Sequence, residues 1–213
     1  MECLSSHLYG MTKAECFKSI QISQGTFSSA VDDLVECGYV HESVDRYSKG
    51  HPPRLQLVDP FLLFHYKFLS KGVSETTRFE DFKGDIGRYT NWRGHAFEIL
   101  CQYHIESIKR ALGISGVKTN EYAWVNEKNG IQIDLVIERD DGIINLCEEK
   151  YTDRAFSISP EYEMSLLRKR DAYREETKTK KALKIIIISA EDIAGNANTE
   201  NIARVLTIDD FFG

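Results

Sequence analysis

Residues 131–151 read IQIDLVIERDDGIINLCEEKY: two apolar runs meet at Asp140-Asp141-Gly142, Asp134 interrupts the first, and Glu148, Glu149 and Lys150 close the second. Carboxylates brought together with an ammonium group suit a hard divalent cation, which takes oxygen ligands and water. A lysine beside such a cation can orient a water molecule or balance charge developing on a phosphate. Side chains alternate along a strand, so Ile131, Ile133, Leu135 and Ile137 are expected on one face and Gln132, Asp134, Val136 and Glu138 on the other. In the second run Glu148 and Lys150 share a face and Glu149 takes the opposite one. A three-residue loop, in which a type I turn is followed by left-handed glycine, suits Asp140-Asp141-Gly142 and pairs Asp134 with Glu148 and Gln132 with Lys150. A two-residue Asp-Gly loop would pair Asp134 with Glu149 instead, and both registers stay open. Two acids placed opposite each other cost about 0.2–1 kcal/mol on an open sheet, so the first register is a poor choice for stability alone. A solvent-facing hairpin is the competing reading. Against it stands the place of Asp134, between Ile133 and Leu135 rather than near the turn.

The elements that position these residues follow from hydrophobic period and breakers. Over 91–213 the chain predicts a long helix (NWRGHAFEILCQYHIESIKRAL), a strand (VKTNEYAWV) and the hairpin. A charged helix opened by Ser159 and Pro160 follows, then an Ile-rich strand (ALKIIIISA), with RVLTIDDFFG as a last strand and short helix. The order α-β-β-β-α-β places helices against a mixed central sheet, an α/β or α+β sandwich. Residues 1–58 predict helix, helix and hairpin, the winged helix-turn-helix order. Thr12 with Glu15 forms a capping box, Ser23 caps the second helix, and Gly38 ends it. On the wing, Arg46, Lys49, His51 and Arg54 suit phosphate contacts, while Asp32, Asp33 and Glu36 on the second helix oppose them. Asp59 and Pro60 open an apolar helix over Phe61–Leu69, within a connecting stretch 59–90. Such a helix has to be covered by another domain or another copy of the chain, and packing between domains is the simpler reading. Arg168, Lys169 and Arg170 on the later helix suit either a phosphate backbone or a solvated face.

Taken together, Asp134, the Glu148-x-Lys150 pair, the hairpin and its flanking helices resemble the PD-(D/E)XK nuclease superfamily, a restriction-endonuclease-like αβββαβ core. That resemblance implies a Mg²⁺- or Mn²⁺-dependent phosphodiesterase acting on DNA. In it Asp134 and Glu148 bind metal, the backbone carbonyl of Glu149 completes the metal shell, Lys150 is catalytic, and Glu98 in GHAFEILC is the added helix acid. Nearly end to end, the chain is also similar to the C-terminal half of archaeal and bacterial AAA-type ATPases that carry a domain of unknown function. The matching segments are ISQGTFSSAVDDLVECGYV, LVDPFLLFHYKFL, NWRGHAFEILC, ALGISGVKTN, QIDLVIERDDGIINLCEEKY and VLTIDDFFG. This second resemblance implies an ATPase domain or subunit as a partner and a truncated or separately encoded C-terminal part. No G-x-x-x-x-G-K-[ST] occurs in the chain, so ATP hydrolysis is not expected of it. A nuclease-fold module that binds DNA or a partner without cutting is the alternative.

Composition narrows the field. With 213 residues, 42% hydrophobic and 28% charged, the chain can bury one or two real cores. A net charge of −6 argues against general nucleic-acid affinity and leaves a local basic face open. The five cysteines are scattered with no C-x-x-C spacing, which points away from zinc and disulfide frameworks and, with no signal peptide, towards the cytoplasm. Apolar runs such as Ile185–Ile188 are far too short to span a membrane. The six histidines have no metal-ligand spacing; His95 is expected at the surface and His104 in the core.

Overall fold

A computed structural model of the chain describes residues 1–7, 10–43, 52–70, 72, 78–82, 86–126, 128–194 and 200–211. The chain divides into two compact units, Met1–Ile99 and Leu100–Gly213. The division falls inside a helix that the sequence places wholly in the second domain.

The first unit runs α1 (Glu2–Ser5), β1 (Met11–Thr12), α2 (Lys13–Lys18), α3 (Gln24–Glu36), β2 (Val40–Ser43) and β3 (Arg54–Leu57). Then come α4 (Pro60–Phe64), a π-helical turn His65–Leu69, α5 (Phe79–Phe82) and most of α6 (Ile86–Tyr103). The caps form as their sequences dictate. Thr12 and Glu15 make a reciprocal capping box at α2, Ser23 accepts the Thr26 amide at α3, and Asp59 accepts that of Leu62 at α4. Gly38 ends α3 with φ +75°. The three strands form an antiparallel sheet in the order β1-β3-β2, covered by Leu4, Cys16, Phe27, Val31 and Leu63. Phe64 and Phe68 pack their rings on Phe82 and Trp92. The apolar face of the linking helix is thus covered in part within its own unit.

The second unit holds α7 (Ile105–Ala111), β4 (Thr119–Asn126), β5 (Ile131–Arg139), β6 (Ile143–Lys150), α8 (Pro160–Thr177), β7 (Ala182–Ser189), β8 (Ile202–Thr207) and a closing 3-10 turn (Ile208–Phe211). Its five strands lie in sequence order, β4-β5-β6-β7-β8. The first three are antiparallel, while β6, β7 and β8 run parallel, with α8 as the crossover from β6 to β7. The chain is therefore a mixed α/β protein. Ser159 caps α8, Pro160 opens it, and Lys178 stops it with φ 53°. The buried stripe of α8, Leu166 and Tyr173, lies on the sheet. Tyr173 packs edge-on against Trp124 at 5.3 Å and shares a 2.7 Å hydrogen bond with the Tyr122 hydroxyl.

Two expectations need correction. Tyr122 pairs with Val136 but Trp124 pairs with Ile133, so β4 advances two residues while β5 advances three. A β-bulge therefore sits in β5 at Asp134–Leu135 and breaks the strict alternation read from sequence. Ile131 and Ile133 pack with Val136, Ile144 and Leu146 around Tyr173, leaving Leu135 and Ile137 to the other face. His95, expected at the surface, is 6% exposed, and His104, expected in the core, is only half-buried and stacks on Phe211.

Candidate functional site

The β5–β6 hairpin adopts the three-residue loop. Gly142 takes φ +86°, and the ladder runs from Glu138↔Ile144 to Leu135↔Cys147. One more step in that register sets Asp134 across from Glu148, but the ladder stops first. β5 stays paired with β4 as far as Ile131, and β6 stays paired with β7 as far as Lys150. The sheet forks at Asp134, next to the bulge, and the expected Gln132–Lys150 pair does not form.

At the fork the Asp134 carboxylate replaces a backbone acceptor: its Oδ2 accepts the Glu149 amide at 3.1 Å. This satisfies a donor that the parting of the strands would otherwise strand in a half-buried place. Glu148 faces α8, where Lys169 Nζ donates to its Oε2 at 2.5 Å; the Glu148 side chain is 16% exposed and that of Lys169 23%. Lys150 is directed elsewhere. Its Nζ lies 4.2 Å from the centre of the Tyr162 ring and 4.9 Å from that of Phe156, a cation–π clasp.

Two neighbours register the acids electrostatically. Burial, then the charges of Glu148 and Asp134, hold the Tyr162 phenol well above its ordinary pKa. Its buried hydroxyl makes no well-formed hydrogen bond among the described residues. Burial, reinforced by Glu149 and Asp134, likewise pushes up the Cys147 thiol, which is inert in that state. None of the five cysteines, all of them among the described residues, forms a disulfide. A small, shallow hollow adjoins the fork, lined by Glu148, Lys169, Arg170, Leu146, Leu166 and Ile185 among others.

The remaining expected residues are placed differently. Glu98 lies in the first unit, where its Oε2 is 3.3 Å from His95 Nδ1. Arg54 is exposed and donates from Nε and Nη2 to the Gly10 carbonyl, bracing β1 against β3. Arg168 is exposed on α8. Arg46 and Lys49 lie outside the described residues. Sequence reasoning missed Lys169 as a partner of Glu148 and the Tyr162–Phe156 clasp. The signal was available for the first: Lys169 lies three residues after Leu166 and four before Tyr173, on the stripe that faces the sheet.

Among the described residues no group of three or more His, Cys, Asp or Glu side chains gathers closely enough to hold a metal ion. What the fork offers is two carboxylates on neighbouring strands, of which Glu148 lines the hollow. Hard oxygen donors in that number fit a Mg²⁺ that keeps several waters, rather than a metal enclosed by protein. No described helix is long and apolar enough to cross a membrane.

No protein-family model and no solved structure matches the chain. Among curated proteins it is similar to suppressor of cytokine signaling 7 of Mus musculus and of Homo sapiens, in each case 30% identical over 96 residues, 41% of this chain and 16% of the relative. The match thus spans about a sixth of the length of those relatives, and it assigns no family.

Proposed function

We propose that the second unit is a Mg²⁺-dependent phosphodiesterase module acting on DNA, with Asp134 and Glu148 holding the cation. The observation that carries this reading is the fork: two half-buried carboxylates stand where two strands part, beside a bulge that re-aims one of them. Bulges of this kind recur next to active sites, and an acid in an apolar strand costs stability that a site would justify. A bound Mg²⁺ would supply Lewis acidity and a water of lowered pKa. Around it, Asp134 and Glu148 would fix the seat, with the Glu149 carbonyl available to complete it. Lys150 and Lys169 would supply positive charge for a phosphate. Arg168, exposed on the same helix as Lys169, is suited to a neighbouring phosphate.

A second reading has its own observation. Both ammonium groups near the acids are engaged inside the protein, Lys169 by Glu148 and Lys150 by two aromatic rings. A module that binds DNA or a protein partner, an ATPase domain or subunit included, without cutting would look the same. Cleavage of supercoiled plasmid with Mg²⁺ or Mn²⁺ separates the two. The wild type should nick it, and Asp134→Asn and Glu148→Gln should each lower the rate by at least ~100-fold, since even outer partners of metal ligands matter on that scale. A wild type that leaves plasmid intact, or variants that cut as well as it does, ends the enzymatic reading.

A further inference from the structure

Leu166, Lys169 and Tyr173 share one stripe of α8, and the first and last of these are buried against the sheet. A lysine on that stripe is carried onto the strands by the packing of its neighbours, and an ammonium in such a place needs an anion. It finds Glu148, at 2.5 Å. The lysine expected to serve the acids from sequence, Lys150, is turned into the Tyr162–Phe156 clasp. The positive charge that Glu148 meets therefore comes from the helix, from a residue that lines the hollow with it.

We propose that Lys169 is a built-in counter-ion that competes with a divalent cation for Glu148, so that cation entry at the fork requires the ammonium to let go. The inference rests on the metal-dependent reading of the Asp134–Glu148 fork and adds to it the residue that sets cation affinity. An ion pair placed for stability alone would be indifferent to divalent cations. A counter-ion in the cation's place opposes them, because the ammonium held against Glu148 repels an incoming cation and offsets the carboxylate charge that would attract it.

The test is calorimetric titration of the full chain with Mn²⁺ at fixed pH and ionic strength. Wild type is compared with Lys169→Met, Lys169→Gln, Arg170→Met and Asp134→Asn. Arg170 also lines the hollow, but it pairs with Asp171 and so reports what mere loss of a nearby positive charge does. Lys169→Met should bind Mn²⁺ about tenfold more tightly than wild type, the equivalent of one charge-assisted hydrogen bond no longer to be broken. Lys169→Gln, whose amide still donates to Glu148 without charge, should fall between the two. Arg170→Met should stay within about twofold of wild type, and Asp134→Asn should lose the binding. Circular dichroism melts show which variants fold. Should Lys169→Met fail to, Lys169→Gln carries the comparison, and a larger Mn²⁺-induced rise in its Tm is the second readout. Equal or weaker binding by the folded Lys169 variants, with Asp134→Asn still impaired, overturns the counter-ion and leaves the metal reading standing. A gain in Arg170→Met as large as that in Lys169→Met also overturns it. Binding by wild type and Lys169 variants no different from that of Asp134→Asn removes both.

Discussion

Asp134→Ala and Asp134→Asn should separate the two things this carboxylate does at the fork: it accepts the Glu149 amide and it carries a negative charge on the strand beside that of Glu148. Alanine removes both. Leaving a half-buried amide without its acceptor costs about 1–3 kcal/mol. Relief of the like-charge pairing returns about 0.2–1 kcal/mol. The smaller return applies here, because Lys169 already neutralises part of the charge on Glu148. Asp134→Ala should therefore destabilise the second unit by about 1–3 kcal/mol. Asparagine keeps a carbonyl acceptor and loses only the charge assistance, about half of the bond, while the repulsion is relieved. Its stability should lie within about 0.5 kcal/mol of wild type. The chain has two tryptophans, and Trp124 is fully buried in the second unit. Urea unfolding followed by fluorescence in a Trp92→Phe background thus reports on that unit, and hydrogen exchange at Glu149 reports on the bond itself. An alanine variant as stable as wild type would show that the amide bond contributes nothing. An asparagine variant as unstable as alanine would show that charge, rather than an acceptor, is what the fork needs.

Tyr162 should leave an alkaline signature. Its folded pKa is raised, so below the ordinary phenol value of about 10 its contribution is fully present, and it is lost as pH rises from there towards the folded value. Tyr162→Phe should flatten the fall in stability above pH 10 relative to wild type, read from urea midpoints across pH; an unchanged fall contradicts the assignment. Gly142→Ala should cost about 1–2 kcal/mol, the penalty of a left-handed residue with a Cβ, since φ is +86° and nothing within 4 Å blocks the methyl. Thermal melts check this, and a neutral effect would argue against the three-residue loop.

What was legible in the sequence was local. Thr12, Ser23, Asp59 and Ser159 cap helices because each needs only its own next three residues. The register of the hairpin was legible as far as the loop governs it, through Leu135↔Cys147. Beyond that point partners distant in sequence take over. The bulge at Asp134–Leu135 is a relation between β5 and β4, and the fork arises because β5 follows β4 while β6 follows β7. Neither leaves a mark in the composition of 131–151. Lys150 followed its neighbours as well. Phe156 is held beside Ile193 and Tyr162 stands on the first turn of α8, and no spacing within the E-x-K segment announces either. As one of three consecutive basic residues Lys169 suits a phosphate backbone or a solvated face, although its distance from Leu166 and Tyr173 puts it on the buried stripe.

The fork also bears on why an acid stands at position 134 at all. A parting pair of strands leaves ladder amides to be covered, and a short side chain with a carbonyl oxygen at the bulge does that for Glu149. Asparagine would serve as well and would not repel Glu148. The charge is thus the part of Asp134 that hydrogen bonding does not account for. Glu148, the acid on the neighbouring strand, meets the Lys169 ammonium from α8. On the proposed reading a hydrated divalent cation would answer both acids at once, and Glu148 and Lys169 already line the hollow where it would enter.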